Sequence, residues 1–424
     1  MLKEYVKISI EIHKKNHGKD TQMDCKSIGN TIARLRRQAG LTQSALAEKL
    51  GVSDKAVSKW ENGQGYPDLA IFPMLSEIFC VSIDHLFHGE EKGITIAGNI
   101  IIDVVKNIEN YPEIGMLANV SEVAYAVGGC APNTAIDLAK MDRRIPINVI
   151  GKVGTDENGK YIVSVLQKHG IGVDKISYTS KAPTAFTDVM SIPSGERTFF
   201  HKRGANAEFS PADIDIDKLG CSMLHIGYIL LLDMFDAEDK EYGTVMARFL
   251  SEVQKKGIKT SIDVVSDSSG EYGKKITPAL KYCNYVIINE IECCNIWNLD
   301  ARTKNGPNKA NIRLAMEKTL AAGVKELVVV HCKEMSFALN AKGEFTEVPS
   351  LNVPPEDIKG TVGAGDAFCA GCLYGIYNGY GEKQMLEFAS AAAACNLLEA
   401  NAVDGMKPRN EILELAEKYG RLKI

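Results

Sequence analysis

The sequence predicts two folded units in series. The first, over residues 27–88, is all-α. The second, over residues 94–424, is α/β, with a mostly parallel sheet flanked by helices and a small β layer beside it. Three observations predict this. Residues 27–87 carry only helical periodicity, interrupted by short capping turns. From residue 94 onward, short β-rich apolar runs alternate with amphipathic helical stretches. A polar, glycine-flanked stretch, His88 to Gly93, divides the two patterns. A chain of 424 residues is long enough for two or more domains of ~100–200 residues each. Residues 1–26 show no clear period and are expected to form a poorly ordered extension, with 89–93 as the linker.

In the first unit, Ile28 to Gln38 places Ile32 and Leu35 on one face and ends at Gly40. Thr42 caps a second helix, Gln43 to Leu50. Gly51-Val52 make a tight turn, and Ser53 caps a third helix, Asp54 to Glu61, with Val57 and Trp60 facing inward. A fourth helix follows Pro67-Asp68 through Phe72, Leu75 and Phe79, and a fifth spans Ile83 to Phe87. Two helices joined by a short turn containing glycine form a helix-turn-helix unit. The string from Leu41 to Ser53, continued by Trp60-Glu61-Asn62-Gly63, resembles the phage-repressor-like (XRE) DNA-binding domains. That resemblance implies a third helix in the major groove, with Asp54, Lys55 and Lys59 facing base edges and Gln43 and Arg36 near phosphates. It also implies a dimer on repeated half-sites. The alternative reading is a small helical module that binds protein or only packs.

In the second unit the expected sheet strands are 94–97, 147–153, 224–228, 260–265, 285–288 and 327–331, with helices such as 243–256 and 312–322 between them. The alternating segments 100–105, 123–127, 186–192 and 198–202 do not fit that sheet. The last two read as a hairpin across Pro193-Ser194-Gly195-Glu196.

The chemistry concentrates at Gly360-Thr361-Val362-Gly363-Ala364-Gly365-Asp366-Ala367-Phe368. Small residues let backbone approach a ligand, and a glycine turn opening a helix aims several N–H groups at an anion. A carboxylate beside such a hole repels phosphate, but it makes sense as a base for a hydroxyl that attacks phosphorus. The other reading is Asp366 as a plain N-cap.

The nonapeptide resembles the second signature of the ribokinase-like (PfkB) carbohydrate kinases. The resemblance implies that Gly363, Ala364 and Gly365 form the anion hole and that Asp366 is the general base. It extends over roughly residues 94–420. Asp103 and the pair Gly129 and Asn133, from Gly128-Gly129-Cys130-Ala131-Pro132-Asn133, match sugar contacts of the family. The short alternating strands match its lid over the sugar, which is often a dimer contact. Gly151 to Lys160 matches its first signature; as a P-loop it fails, because Tyr161 stands at the Ser/Thr position and Asp156 and Glu157 would repel phosphates. Asn289 and Glu292 match its N-x-x-E element, Glu292 organising Mg2+ and Asn289 lying near the phosphates. Arg203, in Arg203-Gly204-Ala205-Asn206, matches a segment near sugar and phosphate; a surface role on the lid is the alternative.

Two positions depart from the family pattern. After the strand ending in Val330 the family's glycine-rich ATP loop is replaced by His331-Cys332-Lys333-Glu334-Met335-Ser336, where Lys333 is a candidate phosphate contact. Gly360 stands where many relatives carry a cation-holding Asp, so potassium activation is not expected.

A net charge of −5 excludes a polycation, and residues 1–90 balance 12 Lys/Arg against 11 Asp/Glu. The longest apolar run, near 223–232, falls short of the ~20 residues that span a bilayer. Met1 to Asp20 is mostly charged and polar, so no secretory leader is expected. The 11 cysteines show no framework spacing and read as reduced, apolar thiols in a cytoplasmic protein. The expectation is therefore an all-α helix-turn-helix domain followed by an α/β ribokinase-like domain. The activity expected is an ATP- and Mg2+-dependent sugar kinase acting on a CH2OH group, homodimeric, DNA-binding, and linked to transcription control. The alternative is a regulator whose kinase-like domain only senses a ligand.

Overall fold

The computed structural model describes residues 25–88, 92–193, 196–266 and 270–423. The chain divides into two compact units, Met1–Glu91 and Lys92–Ile424. The extension expected over 1–26 lies, for residues 1–24, outside the described residues.

The first unit is five helices: α1 (Cys25–Gln38), α2 (Gln43–Leu50), α3 (Asp54–Glu61), α4 (Ile71–Phe79) and α5 (Ile83–His88). The first begins three residues earlier than its apolar period indicates, because Cys25 and Lys26 extend it as a partly exposed turn. Thr42 Oγ1 and Ser53 Oγ accept from the amides of Ala45 and Ala56 and so start α2 and α3. Gly51 closes α2 in the left-handed region at φ 65°. Ile32, Leu46, Val57, Leu75 and Leu86 meet in one buried core.

The second unit is built on a nine-stranded sheet. Its strands are β1 (Ile94–Gly98), β4 (Ile147–Gly154), β5 (Ile176–Thr179), β8 (Met223–Ile229), β9 (Lys259–Val264), β10 (Tyr285–Asn289), β11 (Leu327–His331), β12 (Met335–Asn340) and β13 (Phe345–Pro349). Their spatial order is β13-β12-β11-β10-β9-β8-β1-β4-β5, parallel from β11 to β5 and antiparallel at β12 and β13. The central strands are buried almost end to end, as a sheet covered on both faces requires. One face carries α6 (Cys130–Met141), α7 (Glu157–Lys168), α12 (Ala364–Tyr377), α13 (Glu382–Leu397) and α14 (Arg409–Tyr419). The other carries α8 (Val245–Lys255), α9 (Tyr272–Leu280), α10 (Glu290–Asn295) and α11 (Lys309–Ala321).

The segments that did not fit this sheet form a second one, ordered β3-β2-β6-β7, from β2 (Ile101–Ile108), β3 (Val120–Gly128), β6 (Ala185–Ser191) and β7 (Arg197–Lys202). Asp103 pairs in register with Ala126 of β3 and Thr187 of β6, so it belongs to this second sheet rather than to the opening strand of the main one. No helix of the described residues is long and apolar enough to cross a membrane.

Candidate active site

Ligand sites in open α/β sheets lie beyond the carboxyl ends of the parallel strands, and the residues singled out above gather there. The turn into α12 is shaped by Gly363, at φ 78°, where an added Cβ would come within 2.6 Å of Ala402. Gly363 is the N-cap position and α12 starts at Ala364, which makes Asp366 the third helical residue. The N-cap reading of Asp366 is thereby corrected: no side chain caps this helix. Among the described residues, no acceptor faces the amides of Gly365 and Asp366. They are unsatisfied donors at the positive end of a helix of 14 residues.

The Asp366 carboxylate is buried and held from two sides. Tyr228 donates its hydroxyl to Oδ1 at 2.5 Å, and Asn133 donates Nδ2 to Oδ2 at 2.9 Å. Burial raises its pKa, and the two hydrogen bonds oppose that rise by favouring the ionised form. The next-to-last residue of β8 is Tyr228, whose amide donates to Asn99 Oδ1 at 3.0 Å. Asn133 stands on α6, entered through Gly129 at φ 90°, where a Cβ would lie 2.4 Å from the Asn99 carbonyl oxygen. Only glycine fits so close an approach. Asn133 Oδ1 and both carboxyl oxygens of Asp137, one turn on, have no hydrogen-bond partner among the described residues.

Gly128, the neighbour of Gly129, leaves room for the Asp103 carboxylate, which lies 2.3 Å from where a Cβ would be. Burial, and then the charge of Asp366, push Asp103 up to about 6, against a hydrogen bond from Thr187. Asp103, on the second sheet, and Asp366, in the first turn of α12, are therefore close enough to sense each other. Asp156, in the segment that is a near miss for a P-loop, caps α7 through Gly159 N and ties Thr184. That turn is closed on itself.

At the end of β10, Asn289 and Glu292 form a reciprocal capping box. Glu292 Oε2 accepts from Asn289 N at 2.9 Å and Oε1 from Ser266 Oγ at 2.8 Å. Burial raises Glu292 to about 7, against those hydrogen bonds. Asp263, at the end of β9, is raised by burial and by the neighbouring Glu292 and Asp366. Three crowded carboxyl groups of this kind fit a divalent cation held through water, and Glu292 and Asp263 are the residues that would face it.

The turn after β11 is shorter than expected. The strand runs through His331, β12 resumes at Met335, and Cys332 N bonds Met335 O at 2.9 Å. Ser336 is thus a buried strand residue, bonded to Val348 O, and not part of a nucleotide loop, because the antiparallel pairing with β11 takes it up. Lys333 is exposed on the remaining turn. Arg302 pins that turn, pairing with Glu334 and, at 2.7 Å, with Glu290. Beside it, His331 stacks on Phe368 with ring centroids 4.7 Å apart, and burial drops its pKa to about 4. Arg203 is paired with Asp233 at 2.5 Å, with neither Asp103 nor Asp366 in hydrogen-bond contact with it.

In the helical unit, Asp54, Lys55 and Lys59 are exposed on α3. Arg36 is not at a surface: its guanidinium makes two bonds to Glu61, at 2.6 and 2.9 Å, and one to the Leu41 carbonyl. Gln43 donates to the same Glu61 at 2.7 Å. A basic residue in the helical face next to Leu35 is drawn inward once a carboxylate from α3 meets it there.

Tyr228, Asn99, Thr187 and Ser266 were not singled out in the sequence, and His331 was read only as part of the turn after Val330. The available signal was position: Tyr228 and His331 are the polar residues that close apolar β runs.

Comparison with known proteins fits this geometry. The family model of the pfkB family carbohydrate kinases matches residues 92–409, and a helix-turn-helix model matches residues 32–86. A ribokinase of Arabidopsis thaliana is 26% identical over 328 residues, covering 76% of this chain and 80% of its own. A 5-dehydro-2-deoxygluconokinase of Geobacillus kaustophilus is 24% identical over 312 residues, covering 69% and 85%. The HTH-type transcriptional activator BcrR of Enterococcus faecalis is 45% identical over 80 residues, 19% of this chain and 39% of its own. Among solved structures, Thermotoga maritima ribokinase superposes with a TM-score of 0.64 at 20% identity, covering 77% of this chain and 99% of that one. The chain belongs to the pfkB family of carbohydrate kinases, phosphotransferases with an alcohol acceptor, and carries an XRE-type helix-turn-helix domain ahead of its kinase domain.

Proposed function

We propose that this protein transfers the γ-phosphoryl group of ATP to a CH2OH group of a sugar or sugar derivative. The observation that carries the reading is Asp366: a buried carboxylate in the first turn of a helix in which the amides of Gly365 and Asp366 have no acceptor among the described residues. Asp366 takes the proton of the sugar hydroxyl as its oxygen attacks phosphorus, and the bond from phosphorus to the bridging oxygen of ADP breaks. Amides of Gly363 to Asp366 receive the charge that develops on the transferring group. Tyr228 and Asn133 hold the base in place, and Asp103 and Asn133 orient the sugar hydroxyls across the Gly128-Gly129 floor. Asn289 lies on the phosphate side, with Lys333 at its rim, and Arg203 closes the lid end. Bound near Glu292, Mg2+ would screen the phosphate charge. The ATP role is supported by a solved ribokinase of Arabidopsis thaliana in complex with ribose and ATP, a protein of the same fold.

The protein works as a homodimer. Val123, Tyr125 and Phe200 stand exposed on one face of the second sheet and Phe199 on the other, apolar side chains of the kind that pair with a second copy. The helical unit binds DNA through α3, with Lys55 and Lys59 on its open face, and couples sugar or nucleotide occupancy to transcription.

The test is ADP production over pentoses, hexoses, nucleosides and 5-dehydro-2-deoxygluconate, with ATP and Mg2+ saturating. Turnover with at least one acceptor is expected. The clamped turn 332–334 favours a second reading, a regulator that binds sugar without phosphorylating it; saturable sugar binding with no ADP release would establish that reading in place of the first.

A further inference from the structure

Beneath the Tyr228–Asp366 pair, three side chains of metal-ligand type meet in the core. They are His225 of β8, Asp263 of β9 and Cys369 of α12, and their ligand atoms all lie within 4.8 Å of one another. His225 and Cys369 are wholly buried and Asp263 nearly so. The transfer reaction proposed above uses neither His225 nor Cys369, and Asp263 stands between this trio and the acidic cluster of Glu292 and Asp366. We propose that this trio binds a soft divalent cation, zinc by the chemistry of its donors.

The geometry favours it. Cys369 Sγ stands 3.6 Å from His225 Nε2. Tetrahedral zinc with its usual bond lengths to sulfur and imidazole nitrogen places those two atoms about 3.6 Å apart. On the other side of the ring, His225 Nδ1 lies 3.0 Å from Ser261 Oγ. With Ser261 accepting from Nδ1–H, the Nε2 lone pair faces Cys369, the outer-sphere arrangement that orients a ligating histidine. A thiol–imidazole hydrogen bond alone would satisfy the first distance; what adds to it is the carboxylate of Asp263 within the same 4.8 Å.

Charge points the same way. Zn2+ with one thiolate, one carboxylate and a neutral imidazole is neutral overall, as a buried site requires. In binding, the Cys369 S–H bond breaks, an S–Zn bond forms, and the proton leaves to solvent; His225 and Asp263 donate lone pairs and no electron is transferred. With two of its three donors fully buried, the site fills as the chain folds. It then ties β8, β9 and α12 together under the base.

The experiment uses the full chain, purified without chelator from zinc-supplemented cells, and also refolded with Co2+. About one zinc per chain should survive dialysis, and the cobalt protein should show a thiolate-to-cobalt charge-transfer band. Cys369→Ser should lose both; Cys332→Ser, a thiol on the turn after β11, should keep both. Protein without zinc that also shows no cobalt–thiolate band overturns the site, as does zinc fully retained by folded Cys369→Ser. Should Cys369→Ser fail to fold, the cobalt spectrum of the unaltered chain decides, with Asp263→Asn as the second variant expected to lose metal. None of these readouts is kinase activity, so the outcome stands apart from the proposed reaction.

Discussion

Asp103 shows what a single residue contributes and how it is tested. Its folded pKa of about 6 lies above the ordinary 3.8, so the folded chain holds this proton more tightly than the unfolded one. Between those two values, rising pH therefore removes stability at this group, and Asp103→Asn should flatten that part of the stability profile. Sugar binding runs the opposite way, because only the ionised carboxylate accepts two hydroxyl donors. Affinity measured by calorimetry should fall as pH drops through about 6, and Asp103→Asn should weaken it by about ten-fold or more, as for a hydrogen bond to a charged group. Unchanged affinity in that variant would remove Asp103 from the sugar site. Asp103, Gly129, Asn133 and Asp366 were singled out by their resemblance to family motifs, and the structure brings Asn133 onto Asp366 and Asp103 within reach of its charge. Tyr228 was not, since a tyrosine closing an apolar run is ordinarily a core residue. Arg36 misled for the converse reason: its charge reads as surface, and only the fold brings Glu61 to it.

At the scale of elements, the N-terminus of α10 carries two roles at one residue. Glu292 closes the capping box with Asn289, and its carboxylate is proposed to organise Mg2+. The roles separate by substitution. Glu292→Gln keeps an oxygen acceptor for the Asn289 amide, so its melting temperature should stay near that of the parent, while the Mg2+ concentration for half-maximal turnover rises. Glu292→Ala loses the cap as well and should cost about 1 kcal/mol of stability. A glutamine variant with unaltered Mg2+ response would leave Glu292 as a cap only. Helix limits in the first unit were legible at Thr42, Ser53 and Gly51 because side-chain caps and left-handed glycine are local chemistry. The strands β12 and β13 were not, because the residues after Val330 were read against the family's glycine-rich loop, although Met335, Phe337 and Leu339 alternate as a strand does. Missing them turned a tight antiparallel turn into an expected nucleotide loop, and put Ser336 in it.

The whole molecule joins an XRE-type helix-turn-helix domain to a sheet that assembles its chemistry from far-apart stretches. Asn133 and Asp366 are 233 residues apart in sequence and 2.9 Å apart in space. The parallel order of β11, β10, β9, β8, β1, β4 and β5 makes that meeting possible, since every strand delivers its carboxyl end to the same edge. The alternation of β runs and helices foretold this sheet; what it could not foretell was the convergence of His225, Asp263 and Cys369, because thiols scattered without spacing look like filler until the fold is closed. The account rests on Asp366 as the base. Its most direct test is single-turnover transfer of labelled phosphate from ATP to the accepted sugar, in the parent chain and in Asp366→Asn, with sugar affinity measured in both. The account predicts a loss of ~10²–10⁴ in the transfer rate with sugar affinity nearly kept. Transfer at close to the parent rate in Asp366→Asn would contradict it.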